Sequence, residues 1–333
     1  MAAPGQGLEV PGREAQTLEH FLKLACRFRR GQHHEVGPFQ ALGGGLPAAL
    51  LLPLRWSGQL DNTPLVMLVL RQGTSVLLML AALMLLVYLQ DGFKTYRSVV
   101  LFAFLVCVPA VVNNNYWWHP DGMVTLLAVL TLFFLERDAL RLGRNFLLAA
   151  VTVAVATATK NVGAYFFLAV GLVLLLSLLQ KKASLRKAVV MALAFLMVMA
   201  ASYILSNPFL LSQWGRTAFL YIFNKQTELL MEGYGISYGK GLTAAWPQLH
   251  AYYGEAVFIL TALGAALWGA WRGSRRLLYG LILAWFIPVS VMVLFITHFK
   301  FQYWLPVALP VFSCLVILLP EKRAAWSSLA ASG

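Results

Sequence analysis

The sequence predicts an all-α fold, a polytopic membrane helix bundle of about nine spans with external amphipathic helices. Three observations carry this. Of 333 residues, 60% are hydrophobic and only 12% charged, with a mean hydropathy of +0.72, whereas a soluble domain carries about 25% charged residues. The apolar residues come in runs near spanning length. The cations then collect in every second loop.

The apolar runs place spans at 73–90, 98–113, 121–135, 145–159, 163–180, 188–205, 254–271, 277–296 and 303–319. Lys94 and Arg97 follow the first. Arg137, Arg141 and Arg144 follow the third. Lys181, Lys182, Arg186 and Lys187 follow the fifth. Arg272, Arg275 and Arg276 follow the seventh, and Lys322 and Arg323 the ninth. The opposite loops are nearly free of cations: 113–120 has none, the turn at 160–162 has Lys160, and 297–302 has Lys300. The positive-inside rule makes the cation-rich loops cytoplasmic. Much of the net charge of +13 is therefore an orientation signal, and a nucleic-acid footprint is not needed to explain it. The partners expected are membrane lipids, with no nucleic acid. Cys26, Cys107 and Cys314 lie far apart without a CxxC spacing, which predicts neither a metal site nor a disulfide framework.

Three regions follow. Residues 1–72 form an external interfacial region, 73–320 the transmembrane bundle with an external loop at 206–253, and 321–333 a cytoplasmic tail. In the first region Leu18, Phe21, Leu22, Ala25 and Phe28 recur at helical spacing, so 17–30 reads as an amphipathic helix on the membrane surface. The stretch 41–54 is broken by Gly43, Gly44, Gly45, Pro47 and Pro53 and reads as interfacial. No run of spanning length precedes residue 72, although the topology places this region outside. The expectation is that a first helix stands upstream of the chain as given.

Ionisable groups beside spans point to function, and the unusual ones gather on the predicted external side. Asn113-Asn114-Asn115-Tyr116-Trp117-Trp118-His119-Pro120-Asp121 is the densest polar and aromatic cluster. Asp121 either caps a helix and meets its dipole, or faces a polar cavity with His119 and positions a sugar or its acceptor. Trp117 and Trp118 are either belt residues or sugar-stacking faces. Lys160 either snorkels to the surface or holds a phosphate. His298, Lys300, Gln302 and Tyr303 precede the last span; this is either a helix-end anchor or a cationic rim for a lipid-linked phosphate. The loop 206–253 is long for a connection and is expected to fold over the external mouth.

Together these pieces resemble the GT-C superfamily, and within it the protein O-mannosyltransferase and aminoarabinose transferase group, family 39 or PMT-like. The similarity runs from about Arg13 to Pro320. It rests on Arg13-Glu14-Ala15-Gln16 followed by Leu24-Ala25, Phe28 and Gly31, and on Pro120-Asp121-Gly122-Met123. Thr159-Lys160 closes a later helix, and Asn207-Pro208 opens the long external loop. The last external turn reads Gln302-Tyr303-Trp304-Leu305-Pro306, closed by Pro310.

The resemblance implies inverting transfer of a sugar from a polyprenyl-phosphate donor, on the non-cytoplasmic face, to a protein, lipid or glycan acceptor. It casts Glu14 and Asp121 as the catalytic carboxylates, Lys160, Lys300 and Tyr303 as donor-phosphate groups, and His119, Trp118 and His298 as substrate-positioning residues. No metal is implied, and the lipid-linked sugar enters as a substrate. The chain departs from the pattern at Arg13, where the family carries the first acid of a pair. The alternatives are an inactive membrane subunit or scaffold, which Arg13 supports, and a secondary transporter. Residue usage rich in Ala, Leu and Arg leans toward a bacterial inner membrane.

Overall fold

The computed structural model describes residues 40–116, 119–232, 240–297 and 299–320. Glu14, Trp118, His298 and the tail 321–333 lie outside the described residues, as does the amphipathic stretch 17–30. Among the described residues all extended regular structure is helical.

Helix α1 is Gln40–Trp56, the stretch expected to lie at the interface. Helix α2 runs Thr63–Asp91, starting ten residues before the apolar run predicted it. Asn62 accepts a hydrogen bond from the Leu65 amide at its start, and Pro64 stands in the first turn, where its missing N–H costs nothing. The polar stretch Gln72-Gly73-Thr74-Ser75 hid this continuity. It is wound as a π-turn, Gln72–Val76, inside the helix.

Helices α3 (Tyr96–Cys107) and α4 (Pro109–Tyr116) are the two halves of one broken run, bent by 57°. Val108 leaves the helical region because proline follows it. Helix α5 is Asp121–Asp138 and α6 is Arg144–Thr159. Helix α7, Asn161–Leu179, opens with a 3₁₀ segment. Helix α8 is Leu185–Ser206. The predicted long loop is mostly helical: α9 is Gln213–Glu232 and α10 is Leu242–Tyr253. An 83° bend leads from α10 into α11, Ala256–Arg272. Helices α12 (Arg276–Ile296) and α13 (Phe301–Leu318) complete the bundle.

Five of these helices are long and apolar enough to cross a membrane, and seven if each bent pair counts as one span. Helix α5 misses the criterion through Asp121, Glu136, Arg137 and Asp138 at its ends, and α6 has only 16 residues. Helix α8 exposes most of its apolar surface, and within it only Ala188 and Phe195 are buried. That is the pattern of a lipid-facing helix.

The core is built around α5 and α13. Helix α5 packs on α6 and α2, and α6 buries the small residues Ala149, Ala150 and Ala154, which let neighbouring helices approach its backbone. The Thr131 and Thr152 hydroxyls meet between α5 and α6 at 2.8 Å. Residues 304–313 of α13 are buried without exception. Its prolines are tolerated because other groups satisfy the backbone they disrupt. Pro310 has no N–H to offer the Pro306 carbonyl, and the Trp285 indole of α12 donates to that oxygen instead, at 3.3 Å. Trp285 also stacks on Phe166 at 3.8 Å with the rings 8° from parallel.

One end of the bundle is rich in cations and closed by hydrogen bonds. Asp138 accepts from the amides of Leu142 (2.7 Å), Gly143 (2.8 Å) and Phe146 (3.3 Å). This carboxylate holds a turn in which Ala139, Leu140 and Leu142 all have positive φ, a conformation that costs non-glycine residues energy. Lys182 and Lys187 donate to the Ala139 and Arg141 carbonyls, and Arg275 donates to that of Leu89.

Candidate functional site

At the other end, three helix termini and the π-turn inside α2 converge. Asp121 is the first residue of α5, Lys160 follows the end of α6, Ser75 lies in the π-turn of α2, and Lys300 and Tyr303 stand at the start of α13. The alternation of the helices brings Asp121, Lys160 and Lys300 together, since the turns before α5, after α6 and before α13 lie at the same end.

Asp121 is 1% exposed. Its position in the first turn of α5 suits a carboxylate, because the unpaired N–H groups of that turn carry partial positive charge. It does more than meet the dipole: its Oδ1 takes a direct ion pair from the Lys160 ammonium. Lys160 therefore turns inward and does not snorkel to the surface. Its ammonium also lies 4.3 Å from the centre of the Tyr303 ring, within cation–π range. Lys300 approaches the same ring at 6.0 Å. Two ammonium groups thus stand near the Tyr303 ring, and that of Lys160 is paired with a buried carboxylate.

His119 completes the rim. Its Nδ1 is 4.0 Å from Asp121 Oδ2, and its side chain is 47% exposed. The residue is fixed through its backbone: the Ser75 hydroxyl donates to the His119 carbonyl at 3.1 Å and accepts from its amide at 3.2 Å. Partial burial lowers the His119 pKa below the ordinary imidazole value of 6.5; Asp121 opposes that shift, and Lys160 and Lys300 reinforce it. The imidazole is consequently biased toward its neutral form.

Two glycines set the close approaches that build this geometry. A Cβ at Gly122 would stand 2.6 Å from the Ser75 carbonyl oxygen, and one at Gly163 would stand 2.5 Å from the Thr157 amide nitrogen. Only a hydrogen fits at either place. Gly122 lets α5 start against the π-turn, and Gly163 lets α7 fold tightly back on α6 directly after Lys160.

The segment 206–253 anchors beside the site. The Tyr253 hydroxyl donates to the Phe301 carbonyl, and Tyr252 stacks on the Phe301 ring at 4.2 Å. Within this segment Glu228 and His250 form exposed pairs with Lys225 and Glu255, each at 2.7 Å. Among the described residues no group of three or more His, Cys, Asp or Glu stands close enough to hold a metal ion.

Of the residues picked out in the sequence, Asp121, Lys160, Tyr303, Lys300 and His119 gather in one place. Sequence reasoning missed Ser75 and Gly122 as parts of the frame. Ser75 carried no signal, because it sits in what reads as a polar gap before a span. Gly122 could have been flagged as a glycine beside the key carboxylate. No family model matches the chain, and no curated protein or solved structure is significantly similar to it.

Proposed function

We propose that the chain is a membrane glycosyltransferase that transfers a sugar from a polyprenyl-phosphate donor to an acceptor on the non-cytoplasmic face. One observation carries the reading: Lys160 and Lys300 flank Tyr303 beside the buried Asp121, at the end of the bundle opposite the cation-rich loops. Cleaving the anomeric C–O bond puts the electron pair on a lipid phosphate. Preorganised ammonium groups in a poorly hydrated site stabilise that charge as it develops. Asp121 holds Lys160 in place and is the near carboxylate of the reaction. Glu14 is the carboxylate assigned to the acceptor: it takes the hydroxyl proton as the acceptor oxygen bonds to the anomeric carbon and polyprenyl phosphate departs.

The same reading adds α5 and α6 to the seven-span count, giving nine spans with the cation-rich end cytoplasmic. Helix α5 keeps its four ionisable residues at its two ends, where they reach the interfaces.

The test is transfer of radiolabel from polyprenyl-phosphate sugars by purified chain in proteoliposomes. Asp121→Asn abolishes transfer with expression intact, and Lys300→Ala raises the donor KM. Full activity of Asp121→Asn, or an unchanged KM for Lys300→Ala, overturns the assignments. The broken run α3–α4 also suits a secondary transporter. Solute flux without any lipid-linked sugar would favour that reading.

A further inference from the structure

The half-helix α4 lies outside the ion-pair cluster and carries an anomaly of its own. It has eight residues, begins at Pro109 after the 57° break, and bears three consecutive asparagines. Asn114 is 2% exposed. Among the described residues neither the nitrogen nor the oxygen of its amide has a hydrogen-bond partner, and the amide oxygen of Asn115 has none either. A primary amide offers two donors and two acceptor sites. Leaving both atoms of one buried amide unpaired forfeits stability that an apolar residue of the same shape would not lose.

The surroundings of α4 are the elements of the site. It packs against the π-turn Gln72–Val76, which holds His119 through Ser75, against α10, which ends at Tyr253, and against α13, which begins next to Tyr303. Asn114 stands five residues before His119 in sequence. The break before α4 also gives it a mechanical property. With Val108 out of the helical region, α4 is joined to α3 by a single non-helical residue and can shift without unwinding its own turns. Half-helices of this kind in membrane proteins present polar groups to a bound solute.

We propose that Asn114, assisted by Asn115, forms the subsite for the sugar of the lipid-linked donor, bonding adjacent hydroxyls that each offer a donor and an acceptor. This rests on the proposed glycosyl transfer and divides the donor between two groups of residues: the ammonium pair at Tyr303 takes the phosphate, and the α4 amides take the sugar. Binding opens α4 about its break and gives the orphaned amide atoms their partners.

The experiment compares two ligands on the full chain in nanodiscs: polyprenyl phosphate, and polyprenyl phosphate carrying glucose, mannose or galactose. The wild type binds at least one sugar-bearing lipid about tenfold more tightly than the bare phosphate, the factor expected for one or two net hydrogen bonds. Asn114→Leu removes that preference and leaves the affinity for bare polyprenyl phosphate unchanged. Asn114→Leu that keeps the preference overturns the proposal, and so does a wild type that binds the phosphate but ignores every sugar. Failure of the wild type to bind either lipid instead rejects the transferase reading on which the proposal stands. Should Asn114→Leu not accumulate, Asn115→Leu and Asn114→Asp are measured the same way, and an undiminished preference in both is the overturning result.

Discussion

Replacing Lys160 with methionine isolates the interaction at the centre of the site. Methionine keeps the length of the stem and its contact with the Tyr303 ring while removing the charge. What remains is Asp121, 1% exposed, with its Oδ1 deprived of its cation. Removing one partner of a buried pair costs about 3–5 kcal/mol, because the other charge stays desolvated. Lys160 is itself 25% exposed, so water reaches the ammonium side and the lower limit, about 3 kcal/mol, applies. Asp121→Asn should cost less, since the freed ammonium can swing to that water. In the double variant no buried charge is left unpaired, and at least about 2 kcal/mol of the Lys160→Met loss returns. The assay is reversible denaturant unfolding in mixed micelles for the four members of the cycle. A Lys160→Met loss below about 0.5 kcal/mol, or two single losses that simply add, refutes the argument that the pair is a buried, coupled unit.

Other perturbations test the frame. Gly122→Ala forces a methyl to within 2.6 Å of the Ser75 carbonyl; it lowers stability by about 1–3 kcal/mol and donor affinity with it, read from the same unfolding assay and a binding isotherm. Asp138→Ala strips three amides of their acceptor in a positive-φ turn and costs about 2–4 kcal/mol. It lies at the cation-rich end, so binding of polyprenyl phosphate measured below its melting temperature is unchanged. His119 has a folded pKa below its unfolded value. The unfolded chain therefore binds the proton first, and the stability that neutral His119 contributes is present above pH about 6.5 and lost as pH falls through that value. His119→Gln flattens this part of a melting-temperature profile taken from pH 8 to pH 5; an identical slope in wild type and variant rules the effect out.

The legibility of the chain follows from what periodicity and charge can report. Apolar runs located α7, α8, α12 and α13 closely, because a lipid-facing or buried helix is apolar along its length. The start of α2 was missed by ten residues: Gln72, Thr74 and Ser75 interrupt the run, yet the backbone continues through them as a π-turn. Polar side chains inside a packed helix look like a loop until their partners are known. Thr74, for example, bonds the Leu70 carbonyl one turn back. The loop 206–253 hid α9 and α10 for a related reason, since the polar and glycine residues between their apolar positions read as irregular chain.

At the site, alternation of the loops put Asp121, Lys160 and Tyr303 at one end, and that much was visible. Their pairing was not, because a span of 39 residues separates the carboxylate from the ammonium and only helix packing brings them together. Lys160 was open between surface anchor and phosphate ligand; the ion pair with Asp121 turns it inward. Asn114 stands in the conspicuous asparagine run, but that its amide finds no partner among the described residues is a fact of three-dimensional packing that no spacing reveals.

The most direct test of the account is the retention of polyprenyl phosphate against phosphatidylglycerol by the chain in nanodiscs, followed by native mass spectrometry. The wild type should keep polyprenyl phosphate in preference, and Lys160→Met and Lys300→Met should each weaken that preference without changing retention of phosphatidylglycerol. Equal retention of the two lipids by the wild type would contradict the claim that the ammonium groups around Tyr303 form a site for a lipid-linked phosphate.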